Sequence, residues 1–86
     1  MKRKLQIFKH VALNLSFTKA AEQFFISQPA ISKLIRNLED EYKCSFFILQ
    51  KTSISLTPEG QIFLKYTNQF LSLYDELENE FLKTKN

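Results

Sequence analysis

The 86-residue sequence predicts a mainly α domain, a three-helix core with a small β-hairpin followed by one long helix. Three observations carry this. Residues 16–35 read as two short helices joined by a tight turn. Residues 46–48 (Phe-Phe-Ile) and 53–56 (Ser-Ile-Ser-Leu) read as two short strands. From Thr57 onward an apolar seam recurs every three or four residues for the rest of the chain.

The first helix is expected over residues 3–14, where Leu5, Phe8, Val11, Ala12 and Leu15 form one inward stripe. The second is expected over 17–24 and the third over 27–42. Ser16 and Ser27 supply the hydroxyls that cap their first turns. Pro29 fits the first turn of the third helix, where its missing N–H has no intrahelical partner. In the middle of one unbroken helix it would cost about 3 kcal/mol, so the chain must break between Phe24 and Ser27. With Phe17 as the first position, Ala20 and Ala21 fall where the two helices cross most closely and only a small side chain fits. Phe24, Ile26, Ile31 and Leu34 lie on the facing sides, and Ile35 and Leu38 continue the inward face of the third helix.

That apolar pattern alone suits a plain helical hairpin as well as a helix-turn-helix. The first turn of the third helix separates the two. Gln28, Ser32 and Lys33 lie on its outer side, with Arg36 one turn further on. Gln bonds adenine bidentately, Ser bonds several base edges, and Lys and Arg bond guanine or phosphate. In helix-turn-helix proteins the N-terminal residues of the second helix of the motif meet the bases in the major groove. The residues therefore point to nucleic acid.

Residues 49–52, between the two strands, form the candidate wing. Thr57 and Pro58 open the last helix with a cap and a first-turn proline, and the helix is expected to reach about residue 82. Phe63, Tyr66, Phe70, Leu73 and Leu77 make a heptad seam, widened by Ile62, Leu71, Tyr74 and Phe81. A helix of about 25 residues is roughly 38 Å long, more than the preceding body can cover, so much of the seam is expected to pack against a second chain. The alternative is that it folds back on its own core.

Residues 16–39, from Ser16-Phe17-Thr18-Lys19-Ala20-Ala21 through Ser27-Gln28-Pro29-Ala30-Ile31-Ser32 to Arg36-Asn37-Leu38-Glu39, resemble the N-terminal domain of LysR-type bacterial transcriptional regulators. The likeness continues through Phe46-Phe47 and Leu56-Thr57-Pro58-Glu59-Gly60 and covers about residues 4–80. The resemblance implies a winged helix-turn-helix over residues 1–57 and a linker and dimerisation helix over 58–86. It implies a homodimer on duplex DNA, on an inverted-repeat operator, with Gln28, Pro29, Ser32 and Lys33 reading bases. Arg36, Thr18 and Lys51 would hold phosphates, with a local backbone bond as the alternative for Thr18.

Three positions depart from the family pattern. Leu49 stands where the wing commonly carries Arg, and Thr52 where a second base is frequent, so that Lys51 is the only charge in the loop. Lys43 replaces the usual Gly after the third helix, so that cap is either built differently or takes a strained left-handed residue. Cys44 replaces an aliphatic residue and is expected to be a buried structural thiol. Family members usually continue into an effector-binding domain. This sequence stops after the linker helix, so no inducer site is expected in it, and it reads as a fragment of a longer regulator. A short stand-alone protein that pairs with full-length regulators as mixed dimers is the rival reading.

Composition agrees. The chain is of single-domain size, and its twelve aromatics, nine of them Phe, help fill a small core. Net charge is +3, split between +5 over residues 1–58 and −2 over 59–86, so the basic half carries the helix-turn-helix. One Cys gives no disulfide framework and fits a reducing cytoplasm. No segment has the length and apolarity of a signal peptide or membrane span. With one Gly, one His and no nucleophile–base set, neither catalysis, a cofactor nor a metal is expected. His10 reads as solvated, and Glu39-Asp40-Glu41 as a solvated acidic face.

Overall fold

The computed structural model describes residues 2–85. Four helices and one hairpin follow in chain order: α1 Lys2–Asn14, α2 Phe17–Phe24, α3 Gln28–Tyr42, β1 Phe47–Leu49, β2 Ile54–Leu56 and α4 Pro58–Thr84. The helix starts are set by local chemistry. The Ser16 hydroxyl accepts from the N–H of Lys19 at 3.0 Å, and that of Ser27 from the N–H of Ala30 at 3.2 Å. Each satisfies an amide that the first helical turn leaves without a partner.

The helix ends are less usual. Leu15, Phe25 and Lys43 all take the left-handed conformation, with φ of 49°, 57° and 56°. None is glycine, so each carries a steric cost of about 1–2 kcal/mol. Of the two caps that the missing glycine left open, Lys43 takes the strained left-handed one. Leu15 leaves α1 at this turn and is exposed rather than continuing the inward stripe. Ile7, which the stripe omitted, is buried. The single-stripe expectation fails because α1 packs against α2 and α3 on one side and α4 on the other.

The core gathers Ile7, Phe8, Val11, Ala12, Ala20, Ile31, Ile35, Leu38, Phe46 and Phe47. Phe8 sits at its centre, with ring centroids 5.5 Å from Phe46, 5.6 Å from Phe47 and 4.8 Å from Phe63. Ala20 is fully buried between α2 and α3, where the close crossing requires a small side chain. Cys44 is half-buried against this core.

The hairpin is antiparallel, pairing Phe47 with Leu56, Ile48 with Ser55 and Leu49 with Ile54. Its first strand begins one residue later than expected, because the backbone of Phe46 is already engaged. The Phe46 N–H donates to the Glu39 carboxylate at 2.7 Å, and its carbonyl accepts from the N–H of Thr57 at 3.0 Å. The turn over residues 50–53 is closed by the Gln50 N–H on the Ser53 carbonyl at 2.9 Å. Glu39 is thus no part of a solvated acidic face. It anchors the chain where it enters β1.

The start of α4 is locked to the same place. The Thr57 hydroxyl donates to the Ser45 carbonyl at 2.6 Å and accepts from the N–H of Gly60 at 2.9 Å. Gly60 is packed so tightly on the Phe46 carbonyl that any Cβ there would overlap it. Beyond this anchor α4 buries only Thr67 and Leu71, and from Ser72 onward every described residue is exposed. Its far half is touched by Lys2, whose ammonium pairs with Glu78 at 2.7 Å and lies over the Tyr74 ring. The bond to Glu78 raises the Lys2 pKa above its ordinary 10.5, with Asp75 and Tyr74 adding to it.

Candidate nucleic-acid interface

The starts of α2 and α3 lie side by side, and the outer face of α3 stands clear of the core. Gln28, Pro29, Lys33 and Arg36 are exposed and Ser32 is half-buried. From Pro29, residues 32, 33 and 36 follow at spacings of three, four and seven, so these four side chains share one helical face. The opposite face carries Ile31, Ile35 and Leu38 into the core. The same periodicity that buries the apolar residues therefore exposes the polar ones.

A cleft runs along each flank of α3. On the hairpin side, Ser32 and Arg36 face Phe17, Ser45 and Leu49. On the other side, Ala30, Lys33 and Asn37 face Lys4 and Glu41. The sequence did not single out Lys4 or Asn37. Neither shows a signal of its own, and they meet Lys33 only because α1 packs across α3. Lys4 has no ion pair among the described residues, whereas its neighbours Lys2 and Arg3 are engaged, Arg3 with the Phe24 carbonyl at 3.3 Å and over the Phe24 ring.

Thr18, in the first turn of α2, makes neither a local backbone bond nor an isolated solvent contact. Its hydroxyl donates to the Gln28 side-chain oxygen at 3.2 Å, bridging the starts of the two helices. Lys51 is exposed in the hairpin turn and is the only cation between Lys43 and Lys65. Leu49 is 63% exposed beside it, so the hairpin tip presents an aliphatic side chain where a base is common.

A second surface lies on α4. Tyr66, Phe70, Leu73 and Leu77 are exposed, as are Ile62, Phe81 and Leu82. Phe63 differs from the other members of the seam, because its ring stacks on Phe46 at 4.4 Å and fills its own chain's core. Its remaining edge lines an apolar groove with Leu5, Tyr42, Tyr66, Phe70 and Leu73. Among the described residues no cluster of His, Cys, Asp and Glu could hold a metal ion, and no helix is long and apolar enough to cross a membrane.

Residues 3–61 match the family model described as bacterial regulatory helix-turn-helix protein, lysR family. The chain is 41% identical over 83 residues to the HTH-type transcriptional regulator CzcR of Bacillus subtilis, covering 96% of this chain and 29% of that protein. It is 39% identical over 84 residues to a probable RuBisCO transcriptional regulator of Phaeodactylum tricornutum, covering 98% of this chain and 27% of that one. The chain thus spans about a quarter of the length of the curated relatives it matches. Among solved structures, the BenM DNA-binding domain in complex with catB site 1 DNA superposes with a TM-score of 0.93 at 32% identity. That match covers 100% of this chain and 96% of the other.

Proposed function

The chain belongs to the LysR family of bacterial regulatory helix-turn-helix proteins, and on that premise we propose that it reads duplex DNA as a homodimer, with α3 in the major groove. It is the family's DNA-binding domain and not an enzyme. The observation that carries the reading is the clear outer face of α3, flanked by a cleft on each side. A helix in the major groove has a sugar–phosphate backbone on either flank, and two clefts provide for both. Gln28, Pro29, Ser32 and Lys33 meet base edges. Arg36 and Lys51 hold the backbone on the hairpin side, and Lys4 adds positive charge on the other.

Homodimerisation rests on α4. Its exposed apolar stripe exceeds what scattered surface residues would give, and the body of its own chain leaves it uncovered. A second copy related by a two-fold axis covers the same stripe on both chains and sets two α3 helices on symmetric half-sites. Sedimentation of the purified chain and of Leu73→Glu tests this. The expected result is a dimer for the parent chain and a folded monomer with weakened DNA binding for the variant. A parent chain that stays monomeric at micromolar concentration would refute the dimer.

A further inference from the structure

We propose that Thr18 is a positioning residue for base recognition, holding the end of the Gln28 side chain in one place, rather than a phosphate contact in its own right. The inference deepens the function proposed above and rests on its assignment of Gln28 to a base.

The geometry is specific. Thr18 stands in the first turn of α2 and Gln28 opens α3, ten residues later, and the Thr18 hydroxyl donates to Gln28 Oε1 at 3.2 Å. A hydroxyl has one proton to donate. Given to Gln28, that proton is not available to a phosphate oxygen, and an anionic phosphate offers no proton in return. The bond therefore competes with the role that resemblance assigns to Thr18.

The consequence falls on Gln28. An exposed glutamine amide turns freely about its last torsion, and turning it over exchanges the carbonyl for the NH2 group. That exchange reverses the order of donor and acceptor shown to a base edge, which is the property that distinguishes adenine in the major groove. The hydroxyl donates to Oε1 here and, with the amide turned over, would accept from the NH2 group, so the bond fixes where the end of the Gln28 side chain sits rather than which way its amide faces. The base edge selects the face of the amide, and Thr18 holds that amide in place to meet it. Both side chains sit on backbone that is itself capped, by Ser16 and Ser27, so the two anchor points do not drift.

A double-mutant cycle tests this, using a duplex enriched from a random pool and its single-base-pair variants. Thr18→Val removes the hydroxyl at nearly constant shape, and Thr18→Ser restores it. Thr18→Val should reduce discrimination at one base pair by about twofold to tenfold, the lower part of the range expected within one hydrogen-bond network, and Thr18→Ser should recover it. In the Gln28→Ala background Thr18→Val should change discrimination no further. The proposal is overturned if Thr18→Val weakens every duplex alike and leaves discrimination intact, as loss of a neutral backbone contact does. It is also overturned if the two substitutions add independently. If Gln28→Ala alone leaves discrimination intact, the base-reading role of Gln28 is what fails, and the proposed coupling falls with it.

Discussion

The carboxylate of Glu39, on α3, accepts a 2.7 Å hydrogen bond from the backbone N–H of Phe46, the residue that leads into the hairpin. The same oxygen lies 3.4 Å from the N–H of Phe47. One side chain on the recognition helix thereby fixes where the wing begins. Glu39→Ala should destabilise the domain by about 1–3 kcal/mol, because it leaves a part-buried N–H without a partner. Glu39→Gln, which keeps an acceptor, should cost less. Urea denaturation of the three chains checks the order, and equal midpoints for Glu39→Ala and the parent chain would show that the bond is not formed in solution.

Gly60 meets the other side of the same residue. Its α-carbon packs on the Phe46 carbonyl, so Gly60→Ala forces α4 away from the hairpin. A loss of about 1–3 kcal/mol is expected, as for other overpacked sites. Thermal unfolding followed by circular dichroism measures it. The glycine is needed here for space, since no positive-φ glycine occurs among the described residues.

Phe25 and Lys43 close α2 and α3 in the left-handed conformation that glycine adopts without steric penalty. Phe25 is 94% exposed, so removing its ring gives up almost no burial. Phe25→Gly and Lys43→Gly should each stabilise the domain by about 0.5–1 kcal/mol, the relieved strain less the added chain entropy of glycine. Chemical denaturation of the two single variants decides this. A destabilised Phe25→Gly would mean that the ring finds cover in solution.

Much of the architecture is legible in local chemistry. Ser16, Ser27 and the Thr57–Pro58 pair mark three helix starts directly, and the residues of α3 sort into inner and outer faces by the helical period. What was not legible depends on a third element. Ile7 is buried on the side of α1 where Arg3 and His10, one turn to either side of it, meet Phe24 of α2, a contact that no count along α1 alone reveals. Glu39 sits in an acidic run that looks solvated until the chain returns seven residues later to use it. The Thr18–Gln28 bond joins two residues whose separation is fixed by the packing of α2 on α3, so neither residue announces it. Lys43 is the opposite case. The missing glycine at that position was readable, and the structure takes the strained one of the two caps it left open.

Arg36 lies on the hairpin-side cleft with Ser32. In the phosphate-holding role proposed for it, Arg36 would contribute affinity without sequence preference. Arg36→Gln should weaken all duplexes alike and reduce the slope of log affinity against log salt by about one. Fluorescence anisotropy over a salt series measures both quantities. A changed sequence preference, with the slope unaltered, would place Arg36 on a base instead.

In the function proposed above, this chain reads a specific site through Gln28 at the start of α3. The most direct measurement is selection of bound duplexes from a random DNA pool by the purified chain, with Gln28→Ala in parallel, near 0.15 M salt. The parent chain should enrich a two-fold-symmetric motif, and Gln28→Ala should lose about 1–3 kcal/mol of discrimination at one base pair of each half-site while keeping the rest. Binding without enrichment, vanishing as salt rises, would contradict the claim and leave only electrostatic attraction between a basic surface and DNA.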